Sequence, residues 1–211
     1  MKQHLINVYI FLIFTSGSIF SQVTSEQIHY GASSLSMAAS DIALPKTSWS
    51  AFVNSAGIVD QQGLTFVASS QSHFSQDFLS HSLFGVQFKN SKYGSFGISF
   101  ENSSVDYSGN NLAAETAIGI HQGISLRSDR NSSFSFGYGL KSYTVDYGSS
   151  AGPSGDGSDG IELGSLNAFG LDVSFLGSLG KRIKVGAKAL NINSPTLGNA
   201  NLATRLPQRS Q

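Results

Sequence analysis

Between Leu64 and Leu190 apolar and polar residues alternate with period two in seven stretches, and the polar members are mostly Gly and Ser. The clearest runs Phe134-Ser135-Phe136-Gly137-Tyr138-Gly139-Leu140. On a strand this sends Phe134, Phe136, Tyr138 and Leu140 to one face and Ser135, Gly137 and Gly139 to the other. A soluble antiparallel sheet usually coats its outer face with Lys, Glu and Thr. Here the bulky face is apolar and the opposite face is tiny and neutral, as in a barrel with lipid outside and a crowded lumen.

The pattern predicts strands at about 64–71, 81–89, 93–101, 116–127, 132–146, 167–177 and 182–191. The longer ones reach the roughly 9–11 residues that cross a bilayer at a tilt. Predicted connections alternate in length. Polar loops at 71–80, 102–114 and 146–166 alternate with tight turns at 90–92, 128–131 and 179–181. Bacterial barrels keep short turns on the periplasmic side and long loops outside. The expected fold is therefore all-β, an antiparallel transmembrane β-barrel of the outer-membrane type.

Facing follows from the same alternation. Lipid-side candidates include Phe84, Val86, Phe88, Phe96, Ile98, Phe100, Ile118, Ile120, Phe169, Val173, Phe175, Ile183 and Val185. Lumen-lining candidates are Glu101, His121, Arg127, Lys141, Asp172, Lys184 and Lys188, with Gln87, Lys89 and Ser99 on the same side. Charge thus falls on the small-residue face, where lipid does not penalise it.

Upstream the pattern changes. Lys2 and His4 precede the apolar run Val8 to Phe14, too short to span a bilayer, and small residues follow. This reads as a signal peptide over 1–21, with cleavage after Ser21. Residues 22–62 form an N-terminal plug-like segment before the barrel strands of 63–211. Within it, Gly31 to Ala39 is small and flexible enough for a short helix or tucked coil. Trp49, Phe52, Asn54 and Gly57 mark a plug and turn motif leading into the first strand.

Composition narrows the function classes. Charged residues are 12%, about half the share usual in soluble domains, and 13 basic residues balance 13 acidic ones. That neutrality removes the electrostatic case for nucleic acid. The chain has no cysteine, so disulfides, thiolate catalysis and a lipoprotein anchor are excluded. The histidines at 4, 29, 73, 81 and 121 lack metal-ligand spacing, and Asp156 to Glu162 lacks the ligand order of a calcium loop. Nothing in the sequence pairs Glu101 with Asp172 as glycosidase-like carboxylates. No serine elbow or phosphate loop is present. The reading is non-enzymatic and without a cofactor.

Gly31-Ala32 leading into Met37-Ala38, then Ala51-Phe52-Val53-Asn54-Ser55-Ala56-Gly57-Ile58, then Tyr93 to Ser99, and Asn191 with Leu206-Pro207, form a wider pattern. It resembles the PorV/PorQ-type family of Bacteroidetes outer-membrane β-barrel proteins, related to the FadL-type fatty acid transporter barrels. Ser55 stands where that family usually has proline. The resemblance implies an N-terminal segment tucked into or under the barrel. It also implies a role in type IX protein secretion or in passage of hydrophobic solutes. Seven strands is odd for a closed single-chain barrel, and the chain ends on polar residues, so the expectation is an N-terminal portion with its closing strands missing. The expected setting is the cell outer membrane, with membrane lipid and either secretion-system proteins or hydrophobic small molecules as partners. The alternatives are a surface-binding or adhesive barrel displaying its long loops, and a soluble secreted β-sandwich.

Overall fold

The computed structural model describes residues 30–38, 40–44, 47–72, 78–90, 92–107, 109–150, 152–155, 158–180, 182–197, 204–205 and 209–210. The signal-peptide assignment, together with His4, His29 and His73, lies outside them. Seven strands run in order as an antiparallel meander: β1 (Leu64–Ser72), β2 (Leu79–Asn90), β3 (Gly94–Tyr107), β4 (Asn110–Ser128), β5 (Ser132–Asp146), β6 (Ser165–Leu179) and β7 (Ile183–Leu190). They form one continuous sheet curled into a half-barrel, not two sheets packed face to face. Three two-residue strands complete the set. β8 (Thr196–Leu197) pairs with β9 (Thr204–Arg205), and β10 (Arg209–Ser210) lies beside β7. Among the described residues β1 has a neighbour on one side only.

Alternation dictates the two faces, as period two requires. On the convex face Phe66, Phe84, Ile98, Ile120, Leu140, Phe169 and Val185 are exposed. On the concave face Gln87, Ser99, Glu101, His121, Lys141, Asp172 and Lys188 are buried. Register aligns convex residues into rows across the sheet. One row reads Phe84, Phe100, Ile118, Ser142 and Phe169, and the adjacent one Val86, Ile98, Ile120, Leu140 and Leu171. Gln122 interrupts the apolar convex face, and its amide is satisfied there by the Tyr138 hydroxyl and the Tyr93 carbonyl.

The expected long loop at 102–114 is not a loop. β3 continues to Tyr107 and β4 begins at Asn110, so these strands join by a tight turn. Polar side chains carry the extension through cross-strand bonds: Asn102 Nδ2 donates to Thr116 Oγ1 at 3.0 Å, and the Ser80 and Ser104 hydroxyls meet at 2.9 Å. Such pairs stabilise strands whose convex side is polar, which is why the hydrophobic pattern understated the strands. The connection at 147–164 does remain long, closed near its base by an isolated bridge between Ser149 and Glu162.

Two short helices, α1 (Gly31–Ser36) and α2 (Ser50–Val53), precede a 3-10 helix (Ser55–Asp60). Asn54 caps the 3-10 helix by accepting from the Ala56 N–H, as an N-cap asparagine does. This segment lies in the concavity. Tyr30, Ala51, Phe52, Val53 and Ile58 form a buried cluster with Leu83 of β2, and Trp49 and Val67 pack against it. A second cluster of Ala117, Tyr143, Val145, Ala168 and Leu197 lies on the concave face further toward the 147–164 connection.

Candidate functional site

The glycines of the concave face mark where the segment sits. A Cβ built on Gly85 would meet Phe52 Cε2 at 2.6 Å. One on Gly97 would meet Ala51 and Ile58 at 3.0 and 3.1 Å, and one on Gly123 the Ser55 carbonyl oxygen at 2.7 Å. At Gly137 it would collide with the backbone of Ser55 and Ala56. Gly123 and Gly137 are register partners, between Ser95 and Ser174, so these side-chain-free positions form a trough across neighbouring strands. Glycine is required there for close backbone approach, not for turns.

Polar groups of the wall then hold the seated backbone. Gln87 Oε1 accepts from Ala51 N at 3.2 Å while its amide nitrogen donates to the Thr47 carbonyl. Asn54 Nδ2 donates to the carbonyls of Ile42 and Phe175, at 2.8 and 3.0 Å. The Ser174 hydroxyl accepts from Ala56 N. Lys188 Nζ donates to the Phe52 carbonyl at 2.5 Å. Of the plug and turn motif, Phe52, Asn54 and Gly57 are buried, and Trp49 is half-buried with its ring 5.5 Å from that of Phe52.

Next to this seat lies a charged cluster. Glu101, His121, Lys141, Asp172 and Lys188 all come to the concave face and all are buried. Lys141 Nζ reaches Glu101 Oε1 at 3.2 Å and Asp172 Oδ2 at 3.8 Å. The second contact is electrostatic, too long for a hydrogen bond. Among the described residues Glu101 Oε2 and Asp172 Oδ2 have no hydrogen-bond partner, while Asp172 Oδ1 accepts from Asn191 N at 2.9 Å. His121 lies over Gly119 and Gly139 and has a hydroxyl at each ring nitrogen: Ser55 at Nδ1 (3.1 Å) and Ser99 at Nε2 (2.8 Å). It thereby ties the segment to the wall. The Tyr30 phenol borders the cluster from the segment side. Burial, reinforced by Glu101, pushes its ionisation well above the usual tyrosine range, so it stays neutral.

One of the expected interior positions, Arg127, lies on the other face, and a second, Lys184, lies apart from the cluster. A β-bulge between Ser125 and Arg127 resets the alternation, so Arg127 stands opposite Phe134 of the convex face. Its side chain is 72% exposed and pairs with Asp129 in the β4–β5 turn. Lys184 keeps concave-face parity but is exposed near the start of β7, away from the cluster. Glu101 and Asp172, which no sequence argument brought together, meet through Lys141. Sequence reasoning also missed Tyr30, Tyr143 and Asn191, whose side chains complete the cluster's surroundings; the Tyr143 hydroxyl donates to Asn191 Oδ1 at 3.2 Å. The signal that could have found Tyr143 is face parity, since it is two residues from Lys141 on the same side of β5.

His81 is held by the Ser103 hydroxyl at 2.5 Å. No three metal-ligating side chains converge among the described residues, and no helix there is long and apolar enough to cross a membrane. What the arrangement offers is an internal polar wall with fixed opposite charges, covered on one side by an inserted segment. Compared with protein-family models, curated proteins and solved structures, the chain matches none.

Proposed function

We propose that this chain forms part of the wall of a non-enzymatic outer-membrane β-barrel serving passage of hydrophobic solutes or protein secretion, with residues 30–60 as an internal restriction. One observation carries the reading: from the Phe84 row toward the tight turns the convex face exposes aromatic and aliphatic side chains, while Glu101, Lys141, Asp172 and Lys188 are buried on the concave face. Water would reward the opposite arrangement, whereas lipid makes it favourable. A bilayer admits no open strand edge, so in the membrane the side of β1 that has no neighbour among the described residues needs a partner strand. The export signal over 1–21 agrees with this location. The adhesive alternative retains the 147–164 connection but loses the 102–114 loop, which is strand.

Reconstitution into lipid vesicles tests the membrane part. Ile120→Arg, on the convex face, should cost roughly 2–4 kcal/mol of insertion free energy near the bilayer midplane. Ser135→Arg, on the concave face, should insert while disturbing internal packing. Equal insertion of Ile120→Arg and the parent chain would refute lipid contact. Passage is tested separately by excising residues 31–60, which should raise vesicle permeability to small solutes while the strands still assemble. Unchanged permeability in an assembled protein would remove the role of the segment as a restriction.

A further inference from the structure

The convex face of the sheet changes from apolar to polar part-way along its strands. On the convex face the row Phe84, Phe100, Ile118, Ser142 and Phe169 is followed, toward the 147–164 connection, by Ser82, Asn102, Thr116, Thr144 and Asn167. The convex positions after that are Ser80, Ser104, Ala114, Asp146 and Ser165. These side chains bond to one another across strands, as in the 2.7 Å contact from Thr144 Oγ1 to Asn167 Oδ1. Over the same stretch the concave face gains apolar members: Leu83, Ala117, Tyr143 and Ala168 share a row with Glu101, and the next row holds Val145 and Leu166 with His81, Ser103 and Glu115.

A sheet in lipid turns its apolar side outward, and a sheet in water turns it inward. Here the convex face is apolar over one part of the strands and polar over the rest, with the change falling between two adjacent rows of five strands at once. Strand length agrees independently. β4 has 19 residues and β5 and β6 have 15 each, against the roughly 9–11 that a bilayer crossing needs. On β6 the apolar convex run from Phe169 to Leu179 rises about 34 Å along the strand. At a tilt near 40° that gives about 26 Å of height, close to the roughly 25 Å apolar band of such barrels.

We infer that the bilayer surface crosses the sheet between the Phe84–Phe169 row and the Ser82–Asn167 row, so that the loop-side ends of β2–β6 stand in water. The partner surface is the lipid headgroup layer, and the inference rests on the membrane reading above. It also assigns direction: the 147–164 connection is on the projecting side, and the turns at 91–93, 129–131 and 180–182 are at the opposite surface.

The chain has no cysteine, so single cysteines can be introduced without background. Nitroxides at Ile120 and Leu140 below the line, and at Asn102 and Thr144 above it, would be read in the full chain reconstituted in phosphatidylethanolamine–phosphatidylglycerol vesicles. A water-soluble nickel chelate is supplied on both sides of the membrane. The expected result is an inversion of relative accessibility, oxygen dominating at 120 and 140 and the chelate at 102 and 144. As a second measurement, Thr144→Arg should insert like the parent while Leu140→Arg should not. Oxygen-dominated signals at all four sites would overturn the boundary and leave the membrane reading intact. Chelate-dominated signals at all four would overturn both.

Discussion

Gly137→Val should release residues 53–59 from the concave wall without unfolding the sheet. The added Cβ would lie 2.5 Å from the Ser55 carbonyl carbon and 2.7 Å from Ser174 Oγ, besides colliding with Ala56 N. Two of these obstacles are backbone of the seated segment, so no side-chain rotation relieves them. Overpacking of this kind costs about 1–3 kcal/mol. The displacement would also break the bonds from Ala56 N to Ser174 and between Ser55 and His121, whose buried groups cost about 1–3 kcal/mol each if left unsatisfied. Detachment is the cheaper response, because the strands on both sides of Gly137 keep their ladders. A single cysteine at Val53, buried in the parent, should become reactive to a water-soluble maleimide in the Gly137→Val background. Gly177→Ala is the control, since a Cβ there meets nothing closer than 3.6 Å. Full protection of the Val53 cysteine in folded Gly137→Val would show that the segment does not depend on the glycine trough.

Lys141→Met should be the most destabilising single change in the charged cluster. The methionine matches the stem in length but leaves Glu101 and Asp172, each 1% exposed, without the ammonium between them. Breaking a buried ion pair from one side typically costs about 3–5 kcal/mol, since the remaining charge stays desolvated. Two carboxylates share this lysine, and each already has an oxygen with no hydrogen-bond partner among the described residues, so the upper part of that range is expected. Adding Glu101→Gln and Asp172→Asn to Lys141→Met should recover much of the loss by removing the uncompensated charge. Denaturant unfolding of the single, double and triple variants measures this coupling. Additive losses with no recovery would mean that the three groups act independently and that Lys141 matters only for packing.

The candidate site is partly legible in the amino-acid sequence. Glu101, His121, Lys141, Asp172 and Lys188 fall on the concave face because side-chain direction along a strand is local geometry. The Arg127 expectation failed because one bulge changes parity for every later residue of the strand, and nothing in Ser125-Leu126-Arg127 announces it. The Lys184 expectation had the right parity but said nothing about depth. Glu101 and Asp172 share a neighbour only because β3, β5 and β6 lie side by side with β4 in a particular register, which places Lys141 within reach of both. Register is a relation between strands, and a single strand's pattern does not contain it.

By itself the sequence determined the seven strands, most of their limits and which side of each is apolar, since these depend on the chemistry of consecutive residues. Tertiary structure alone decided three further matters. It turned 102–114 into strand, because polar ladders form only when a partner strand is present. It selected Gly85, Gly97, Gly123 and Gly137, among 23 glycines, as the seat of the N-terminal segment. It also aligned the Ser, Thr and Asn positions of five strands into rows beside the apolar ones, which shows where the convex face turns polar. All three rest on contacts between residues far apart in the chain, and their free energy exists only once the sheet has brought those residues together.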